Sequence, residues 1–430
     1  MEEPRPPLER DKLLELAHEL MHGTVAGQFT LPDELAVVAT RGSGAYLLDF
    51  DGRRYIDYML GSGPVLLGHA HPEVTAAIAE QAARGSTLYV LNSPTVELAQ
   101  RITEVMPCAQ QVKFASSGME ATLYALRFAR AFTGKPKILK FAGGFHGSHD
   151  LGMMNAFSEP PQYPSPTPDS GGVPAAVADD VIVSRWNDFS MTEELIRRHA
   201  GELAAVICEP MQRCLVAAPG FLKMLRDVTE REGVLLIFDE MVTGFRFALG
   251  GAQERYGVVP DLATFGKALT NGMPMTGIAG AAEIIDVAKP QSGLPEPGAY
   301  YGNTLNGNPL CAAAGLATLG VLSRPGTYER LESATRELRQ GIERAAAKLG
   351  IGIQVLGDGP VVQVAFAEHP INDVASLKRA DSARAGRFLL ECARRGVLST
   401  GKFYVSVAHS DDDVAETLEV IAEAMAASAA

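Results

Sequence analysis

Cysteine is scarce in this sequence, with five residues in a chain of 430. No two of them have C-x-x-C spacing, and an odd number cannot form a complete set of disulfides. This pattern argues against zinc ribbons and disulfide-stapled scaffolds, and it favours reduced thiols in a cytoplasmic protein. The five are Cys108, Cys208, Cys214, Cys311 and Cys392.

The sequence also lacks an excess of positive charge and any long apolar run. Its formal net charge of −13 argues against nucleic acid or an anionic membrane as a general partner. No stretch is apolar enough to span a bilayer, and the N-terminal segment MEEPRPPLERDK is too polar for a signal peptide. With 47% apolar and 21% charged residues, the composition is that of a soluble globular protein long enough for two domains.

The apolar residues form short runs typical of buried strands, separated by helical stretches. Between 119 and 133, Ala121, Ala125, Phe128 and Phe132 recur at helical spacing. Strands that are apolar on both faces and alternate with helices predict an α/β fold, with a mostly parallel sheet covered on both sides. The seven predicted strands are 112–117, 137–144, 180–186, 203–210, 234–240, 262–267 and 276–281. No G-x-G-x-x-G follows any of them, which disfavours a dinucleotide-binding fold.

The two ends of the chain differ from this alternating centre. Residues 44–59 predict a β-hairpin, and a long amphipathic helix, a strand and a second helix are predicted after residue 325. Ser410 and Asp413 have the spacing of a capping box for the final helix. The predicted divisions are an N-terminal part of a smaller α+β domain at 1–74, a large domain at 75–322 and a C-terminal part of the smaller domain at 323–430.

One irregular stretch interrupts the centre of the chain. Residues 158–174, SEPPQYPSPTPDSGGVP, are dense in Pro, Ser and Gly, which neither a helix nor a central strand accommodates. A loop of this length in a compact domain is either functional or a disordered surface insertion. The sequence leaves both interpretations open.

Polar side chains follow four of the predicted strands. Ser116, Ser117 and Gly118 stand at the end of the first, Glu209 at the end of the fourth, Asp239 at the end of the fifth and Lys267 at the end of the sixth. Ligands of a parallel α/β sheet bind at the carboxyl ends of its strands, so we expect these groups at one edge. The helix that follows the Ser-Gly turn offers free N–H groups to an anion. Pyridoxal 5′-phosphate (PLP) needs such an anion cradle, a carboxylate for its ring nitrogen and a lysine for its aldehyde.

Several motifs follow one another along nearly the whole chain: GAYLLDFDGRRYIDY, LGHAHPEV, FHGSHD, DEMVTGFR, PDLATFGK, NTLNGNPL and SVAHS. In these motifs and their order the chain resembles the class III, fold type I family of PLP-dependent aminotransferases. Within that family it is most similar to the glutamate-1-semialdehyde 2,1-aminomutase-like branch. The resemblance implies a large PLP-binding domain around a seven-stranded sheet and a smaller domain from the chain ends.

The resemblance also implies a role for each matching residue. Lys267 is implied to be the Schiff-base lysine, and Asp239 the partner of the pyridine nitrogen. The other implied cofactor contacts are the phosphate turn of Ser117, Gly118 and Met119, the ring-stacking Phe145 with its neighbour His146, the strand-end Glu209, Met241 at the buried ring face, and Thr304. Because Thr304 resembles a threonine that reaches the phosphate from the partner subunit, a homodimer with shared active sites is implied.

Three features depart from the family pattern. Met119 stands where a threonine is usual, which removes one phosphate hydroxyl and leaves a backbone N–H as the contact. Met241 replaces a common valine, and a methionine is flexible enough to fill that place. The segment GKALTNGMP lacks the glycine run frequent after the lysine. None of these departures removes the implied chemistry.

Other polar residues near these motifs have different interpretations. His146 and His149 lack the further ligands that a metal site needs, so no metal is expected. A forked arginine commonly binds a substrate carboxylate. Arg213 is our main candidate for that role and Arg41 a weaker one, whereas Arg246 is better explained by a structural salt bridge.

These observations predict a PLP-dependent transaminase that moves an amino group from an amine or amino acid to a keto acid by a ping-pong mechanism. A 2,1-aminomutase stays open as the alternative, although the segment LSTGKF lacks the glutamate-bearing loop that we associate with that enzyme. A non-catalytic PLP-fold binding protein is the third possibility. It is disfavoured because Lys267 and Asp239 are both present.

Overall fold

The computed structural model describes residues 9–21, 31–32, 35–288 and 298–429. The N-terminal residues 1–8, which carry much of the prediction that no signal peptide is present, lie outside this range. The strands are β1 Ala39–Ser43, β2 Tyr46–Asp49, β3 Arg54–Asp57, β4 Gln111–Ala115, β5 Lys137–Phe141, β6 Val181–Ser184, β7 Leu203–Cys208, β8 Met211–Gln212, β9 Leu215–Val216, β10 Leu235–Glu240, β11 Leu262–Phe265, β12 Thr276–Gly280, β13 Gln354–Leu356, β14 Val361–Ala365, β15 Val397–Leu398 and β16 Lys402–Tyr404.

Helices alternate with most of these strands. The α-helices are α1 Arg10–Met21, α2 Pro72–Arg84, α3 Ser93–Val105, α4 Gly118–Thr133, α5 Phe189–His199, α6 Phe221–Glu232, α7 Gly251–Tyr256, α8 Ala282–Ile285, α9 Pro309–Leu322, α10 Thr327–Leu349, α11 Val374–Lys378, α12 Ser382–Arg394 and α13 Asp411–Ala427. Short 3-10 helices occupy Ala175–Asp180 and Lys267–Thr270.

A seven-stranded sheet with the order β4-β12-β11-β10-β7-β5-β6 lies at the centre of the fold. Each of its strands coincides with one of the seven predicted apolar runs, so that prediction is confirmed. The β11–β10, β10–β7, β7–β5 and β5–β6 pairs are parallel, whereas β12 runs antiparallel to both of its neighbours. The carboxyl ends of β4 and β11 therefore meet at the same edge, on either side of the start of β12.

Both faces of this sheet are buried. On one face, alternate residues such as Ile207 and Ile237 pack in a cluster with Phe128 of α4. On the other face, Cys208 and Phe238 pack in a cluster with side chains of α5 and α6. Because adjacent residues of one strand point to opposite faces, a strand covered on both sides is apolar throughout. This explains why the strand sequences form unbroken apolar runs.

The chain ends form smaller sheets beside the central one. β2 and β3 form the predicted hairpin, and β15 from the C-terminal part pairs in parallel with β3. β13, β14 and β16 form a separate antiparallel sheet. Ser410 and Asp413 make the predicted capping box of α13. The pairing of β15 with β3 supports one smaller domain built from both ends, and its boundaries at residues 74 and 322 stay a proposal.

The irregular segment 158–174 contains no helix or strand, as predicted, but it is tied to the rest of the fold. The Asp169 carboxylate accepts hydrogen bonds from the N–H groups of Phe157 and Ser158, at 2.7 and 3.1 Å. The Asn155 side chain binds both the N–H and the hydroxyl of Thr167. Of the two open interpretations, these contacts favour an ordered loop that positions Phe157.

The described residues also bear on the predicted absences. All five cysteines are buried and form no disulfide. Within the described ranges, no helix combines the length and apolarity needed to cross a membrane. The same part of the chain brings no three His, Cys, Asp or Glu side chains into an arrangement that could hold a metal ion.

Candidate active site

The strand-end groups predicted to meet do lie at one edge of the central sheet. Asp239 of β10 pairs in register with Thr264 of β11, and Lys267 follows two residues after β11 ends. Thr276 at the start of β12 pairs with Ala115, the last residue of β4. The Thr276 hydroxyl donates to the carbonyl of Ser117 at 2.8 Å, which joins the start of α4 to this edge.

The Asp239 carboxylate is buried and is held by a histidine ring nitrogen, a hydroxyl and a backbone N–H. Its Oδ2 lies 2.8 Å from Nδ1 of His146, and its Oδ1 accepts from the Thr264 hydroxyl at 3.1 Å and from the Met241 N–H at 3.2 Å. A buried carboxylate needs such partners to stay in place. Both side-chain partners restrict rotation of the carboxylate, so its orientation is set before any ligand binds.

Lys267 has an unusual backbone and an unpaired amine. Its φ of +38° lies in the left-handed region, which is strained for a residue other than glycine and is often found at functional sites. Among the described residues, no hydrogen-bond or ion-pair partner contacts its ammonium group. Burial, and next the nearby Lys402 ammonium, lower the pKa of Lys267 from 10.5 to about 8. The lowered pKa raises the neutral fraction of this amine near neutral pH, and the neutral amine is the form that acts as a nucleophile and a base.

The start of α4 provides an anion cradle. Ser117 caps the helix, and Glu120 reaches back to the N–H groups of Ser116 and Ser117, so the capping box is complete. The N–H groups of Gly118 and Met119 lie in the first turn, where no intrahelical acceptor is available. The hydroxyl of Ser116 is buried without a partner. These free donors at a helix N-terminus suit a phosphate.

Two glycines and Met241 shape the floor of this site. A Cβ atom on Gly266 would lie 2.7 Å from Cγ2 of Thr276 and 3.0 Å from Sδ of Met241, so no side chain fits there. A Cβ on Gly118 would lie 3.2 Å from the same sulfur. Met241 therefore lies between the anion cradle and the lysine turn.

Phe145, Glu209 and Arg213 form a connected group at the same edge. The Glu209 carboxylate accepts from the N–H of Phe145 at 2.9 Å and from the N–H of Arg213 at 3.1 Å. The Arg213 guanidinium lies 5.1 Å from the Phe145 ring centroid and 5.5 Å from that of Phe157. Glu209 binds only the backbone of Arg213. No acceptor for the Arg213 guanidinium occurs among the described residues.

One candidate residue does not make the contact that the sequence suggested, and two others lie at the surface of the chain. Arg246 is fully buried, but no carboxylate within the described ranges pairs with it, so the predicted salt bridge is wrong. It donates instead to the carbonyls of Val242 and Gly63 and lies 5.2 Å from the Tyr404 ring centroid. Arg41 is exposed on β1, and Thr304 is exposed in a surface groove. Because Thr304 is expected to reach the site of the partner subunit, a surface position agrees with that expectation, and the roles of both residues stay predictions.

Two side chains that contribute to this edge carried little sequence signal. Thr264 is an ordinary strand residue in the sequence, and only the β10–β11 register shows that it holds Asp239. Lys402 lies 135 residues beyond Lys267 (402 − 267), yet it is the charged group with the largest effect on the pKa of Lys267. No local pattern indicates that two residues so far apart in the sequence affect each other.

These residues fit PLP. The free N–H groups and the buried Ser116 hydroxyl suit its phosphate, the Asp239 carboxylate suits a protonated ring nitrogen, and the unpaired Lys267 amine suits its aldehyde. The Met241 sulfur and the Phe145 ring would offer apolar surface to the cofactor ring.

Comparison with known proteins gives a consistent picture. A sequence model of the family "Aminotransferase class-III" matches residues 31–425. The glutamate-1-semialdehyde 2,1-aminomutase of Roseiflexus castenholzii (strain DSM 13941 / HLO8) is 41% identical over 392 residues, which cover 90% of this chain and 89% of that protein. The crystal structure of an omega-transaminase from Sphaerobacter thermophilus matches with a TM-score of 0.91 at 33% identity, covering 99% of each chain. A glutamate-1-semialdehyde aminomutase from Pseudomonas aeruginosa PAO1, in complex with PMP, matches with a TM-score of 0.83 at 25% identity, covering 91% of this chain and 87% of that one.

Proposed function

Because the chain belongs to the class III aminotransferase family, we propose that it is an enzyme that moves an amino group with PLP held on Lys267. The cofactor is PLP. Bound PLP supplies a positively charged ring system that accepts the electron pair left when a substrate carbon loses a proton. The arrangement of the unpaired Lys267 amine, the fixed Asp239 carboxylate and the α4 anion cradle at one sheet edge carries this proposal.

The roles proposed for the protein groups follow from their contacts. Asp239, oriented by His146 and Thr264, holds a proton on the ring nitrogen of the cofactor. The neutral Nζ of Lys267 accepts a proton from the substrate carbon and returns it, which its pKa of about 8 favours near neutral pH. Arg213, whose guanidinium has no acceptor among the described residues, is proposed to bind a substrate carboxylate.

For the reaction itself, we infer a 2,1-aminomutase of the glutamate-1-semialdehyde type as the first candidate. The single observation in its favour is the identity of about 41% to curated aminomutases over about 90% of the chain. This reverses the preference for a transaminase that we drew from the sequence. The transaminase is the second candidate, favoured by the match to the Sphaerobacter thermophilus omega-transaminase over 99% of both chains.

Dependence on a keto acid distinguishes these two reactions. An aminomutase returns the amino group to the same molecule, whereas a transaminase passes it to a second substrate. We expect the PLP-loaded enzyme to convert glutamate-1-semialdehyde to 5-aminolevulinate with no keto acid present, measured by product formation over many turnovers.

The same enzyme preparation can also give results that contradict the aminomutase. If glutamate-1-semialdehyde is not converted, and an amine or amino acid instead gives a stoichiometric half-reaction that pyruvate or 2-oxoglutarate completes, the transaminase replaces the aminomutase. A protein that takes up PLP but catalyses neither reaction with a broad donor panel would contradict both candidates.

We also propose that the enzyme is a homodimer with shared sites. Tyr89 and Leu91 are exposed by 81% and 86%, which is unusual for large apolar side chains. They belong to the lining of a surface groove of about 450 Å³ that is formed by 87–92 and 301–309, including Thr304. A second copy that covers this groove would bury the apolar side chains and bring Thr304 to the other active site.

A complementation experiment tests the shared site. Lys267→Ala and Thr304→Ala chains are mixed under conditions that exchange subunits, and sedimentation measures the assembly state. Each mixed dimer has one site with both residues intact, so we expect activity above the mean of the two separate variants. Activity equal to that mean would argue against a shared site.

For location, we propose the cytoplasm. All five cysteines are buried and unpaired, and a reducing compartment keeps such thiols free. Recovery of the activity in the cytoplasmic fraction of the source cells would test this assignment. Recovery in an exported fraction would contradict it.

A further inference from the structure

β16 presents its two faces to different parts of the molecule. Phe403 points into the core of the smaller domain, where its ring lies 5.5 Å from that of Tyr58. Tyr404 points the other way and packs in a cluster with Met211 and Cys214, at the hairpin of β8 and β9. Lys402 is two residues before Tyr404, so it lies on the same face as Tyr404. The strand therefore directs Lys402 toward the hairpin that carries Arg213.

The ammonium of Lys402 has no counterion in the part of the chain that the structure describes. The side chain is partly buried, and no hydrogen bond or ion pair to its ammonium occurs among the described residues. The two acids of the site are already engaged, since Glu209 accepts two backbone N–H groups and Asp239 binds His146 and Thr264.

The electrostatic effects on neighbouring groups agree with the position that the Tyr404 face of β16 gives to this ammonium. Lys402 lowers the pKa of Lys267 more than any other charged group does, and it has the largest charge effect on the Cys214 thiol. Its effect on Lys267 opposes those of Glu209 and Asp239 and exceeds each of them. The Arg213 guanidinium, on the hairpin that Lys402 faces, likewise has no acceptor among the described residues, so two cations without a counterion lie on this side of the site.

We propose that Lys402 is a specificity-determining residue whose ammonium, presented on the Tyr404 face of β16, binds a carboxylate of the substrate. The inference rests on the proposed function, because it assigns Lys402 to the substrate of that same site. A partly buried ammonium without a counterion attracts an anion strongly, and a substrate carboxylate forms a charge-assisted hydrogen bond with it. Lys402 lies on a different element from Arg213, so the two cations can be removed separately.

The test measures binding without catalysis. Glutarate, which has two carboxylates and no amino group to react, is titrated into PLP-loaded protein, and the visible absorbance of the cofactor reports the dissociation constant. We expect Lys402→Met to raise this constant at least about tenfold, and Lys402→Arg to stay within about threefold of the parent. Lys348→Met, which removes an exposed lysine at the end of α10, is the matched control and should change nothing.

A second measurement separates carboxylate binding from a structural role. If the parent reacts with simple primary amines, Lys402→Met should leave their KM within about twofold while raising that of carboxylate-bearing substrates. Glutarate binding that is unchanged in a Lys402→Met protein with normal PLP uptake would overturn the inference and leave the proposed function standing. Failure of the parent protein to take up PLP would instead overturn the proposed function, and calorimetric titration of the apo-protein with glutarate would still test Lys402.

Discussion

Two pairs of buried or partly buried charged residues lie in or just after strands of the central sheet, and their charges are satisfied in different ways. Asp239 and Glu240 are neighbours at the end of β10 and point to opposite faces. Asp239 is held mainly by the side chains of His146 and Thr264. Glu240 accepts instead from the N–H of Ala252 at 2.6 Å, and from the side chains of Thr243 and Gln253.

Lys140 and Lys267 also differ in how far their amines are satisfied by the protein. Lys140 of β5 is fully buried and donates to the carbonyls of Gly152 and Met154, at 2.8 and 2.5 Å. The Lys267 amine has no partner among the described residues. Glu240 and Lys140 fasten loops and helix starts, whereas Asp239 and Lys267 leave capacity for a ligand. Burial alone therefore does not distinguish a charged group available to a ligand from a structural one. The hydrogen-bond partners of each group do distinguish them.

Replacing each lysine in turn gives the largest expected difference in activity. Lys267→Ala should lower kcat by about 10⁴-fold or more, because it removes both the nucleophile and the base. Borohydride reduction followed by peptide mapping should place the pyridoxyl group on Lys267 in the parent and on no residue in this variant.

Lys140→Met serves as the comparison for that experiment. It should keep PLP on Lys267 but melt several degrees lower, because the Gly152 and Met154 carbonyls lose their buried donor. A parent protein labelled at Lys140, or a Lys140→Met variant that binds no PLP although folded, would break the distinction between the two lysines.

The two carboxylates should give the next largest contrast. Asp239→Asn removes the charge that stabilises the protonated ring nitrogen, so kcat should fall on the order of 10²–10³-fold. Glu240→Gln should leave kcat within about twofold but lower the melting temperature, since charge-assisted hydrogen bonds to α7 weaken. Steady-state kinetics and thermal melts of both variants measure this. If well-folded Glu240→Gln lost activity while Asp239→Asn stayed fully active, Glu240 rather than Asp239 would be the carboxylate that serves the cofactor.

The smallest expected effect is on pH dependence. Burial and Lys402 lower the pKa of Lys267, so the neutral amine predominates above about pH 8 rather than above 10. The rate at which apo-protein captures PLP should rise with pH through a midpoint near 8. Lys402→Met should move that midpoint upward, since a cation that disfavours the ammonium form is gone.

The parent and Lys402→Met are measured in parallel. Because the ionisation of PLP itself is the same in both, it does not affect the difference between their midpoints. A midpoint above pH 10 in the parent would contradict the lowered pKa. A downward shift in Lys402→Met would show that Lys402 does not act on Lys267 as a nearby positive charge.

Local sequence determined much of this protein. The seven strands follow from apolar runs, and the caps at Ser117 and Ser410 follow from short-range spacing, because each depends on residues within a few positions of one another. The strand-end position of Asp239 and Lys267 also follows, since the ends of parallel strands share one edge.

Tertiary structure decided the features that depend on packing between distant segments. Which of two adjacent acids faces the site depends on which sheet face α4 covers, and alternation alone leaves that choice open. Arg246 binds carbonyls and an aromatic ring rather than an acid, because the folded chain brings Gly63 and Tyr404 to it. Lys402 is close enough to affect the pKa of Lys267 only because Tyr404 of β16 packs in a cluster with Met211 and Cys214 of the β8–β9 hairpin, and no pattern within either segment encodes that packing.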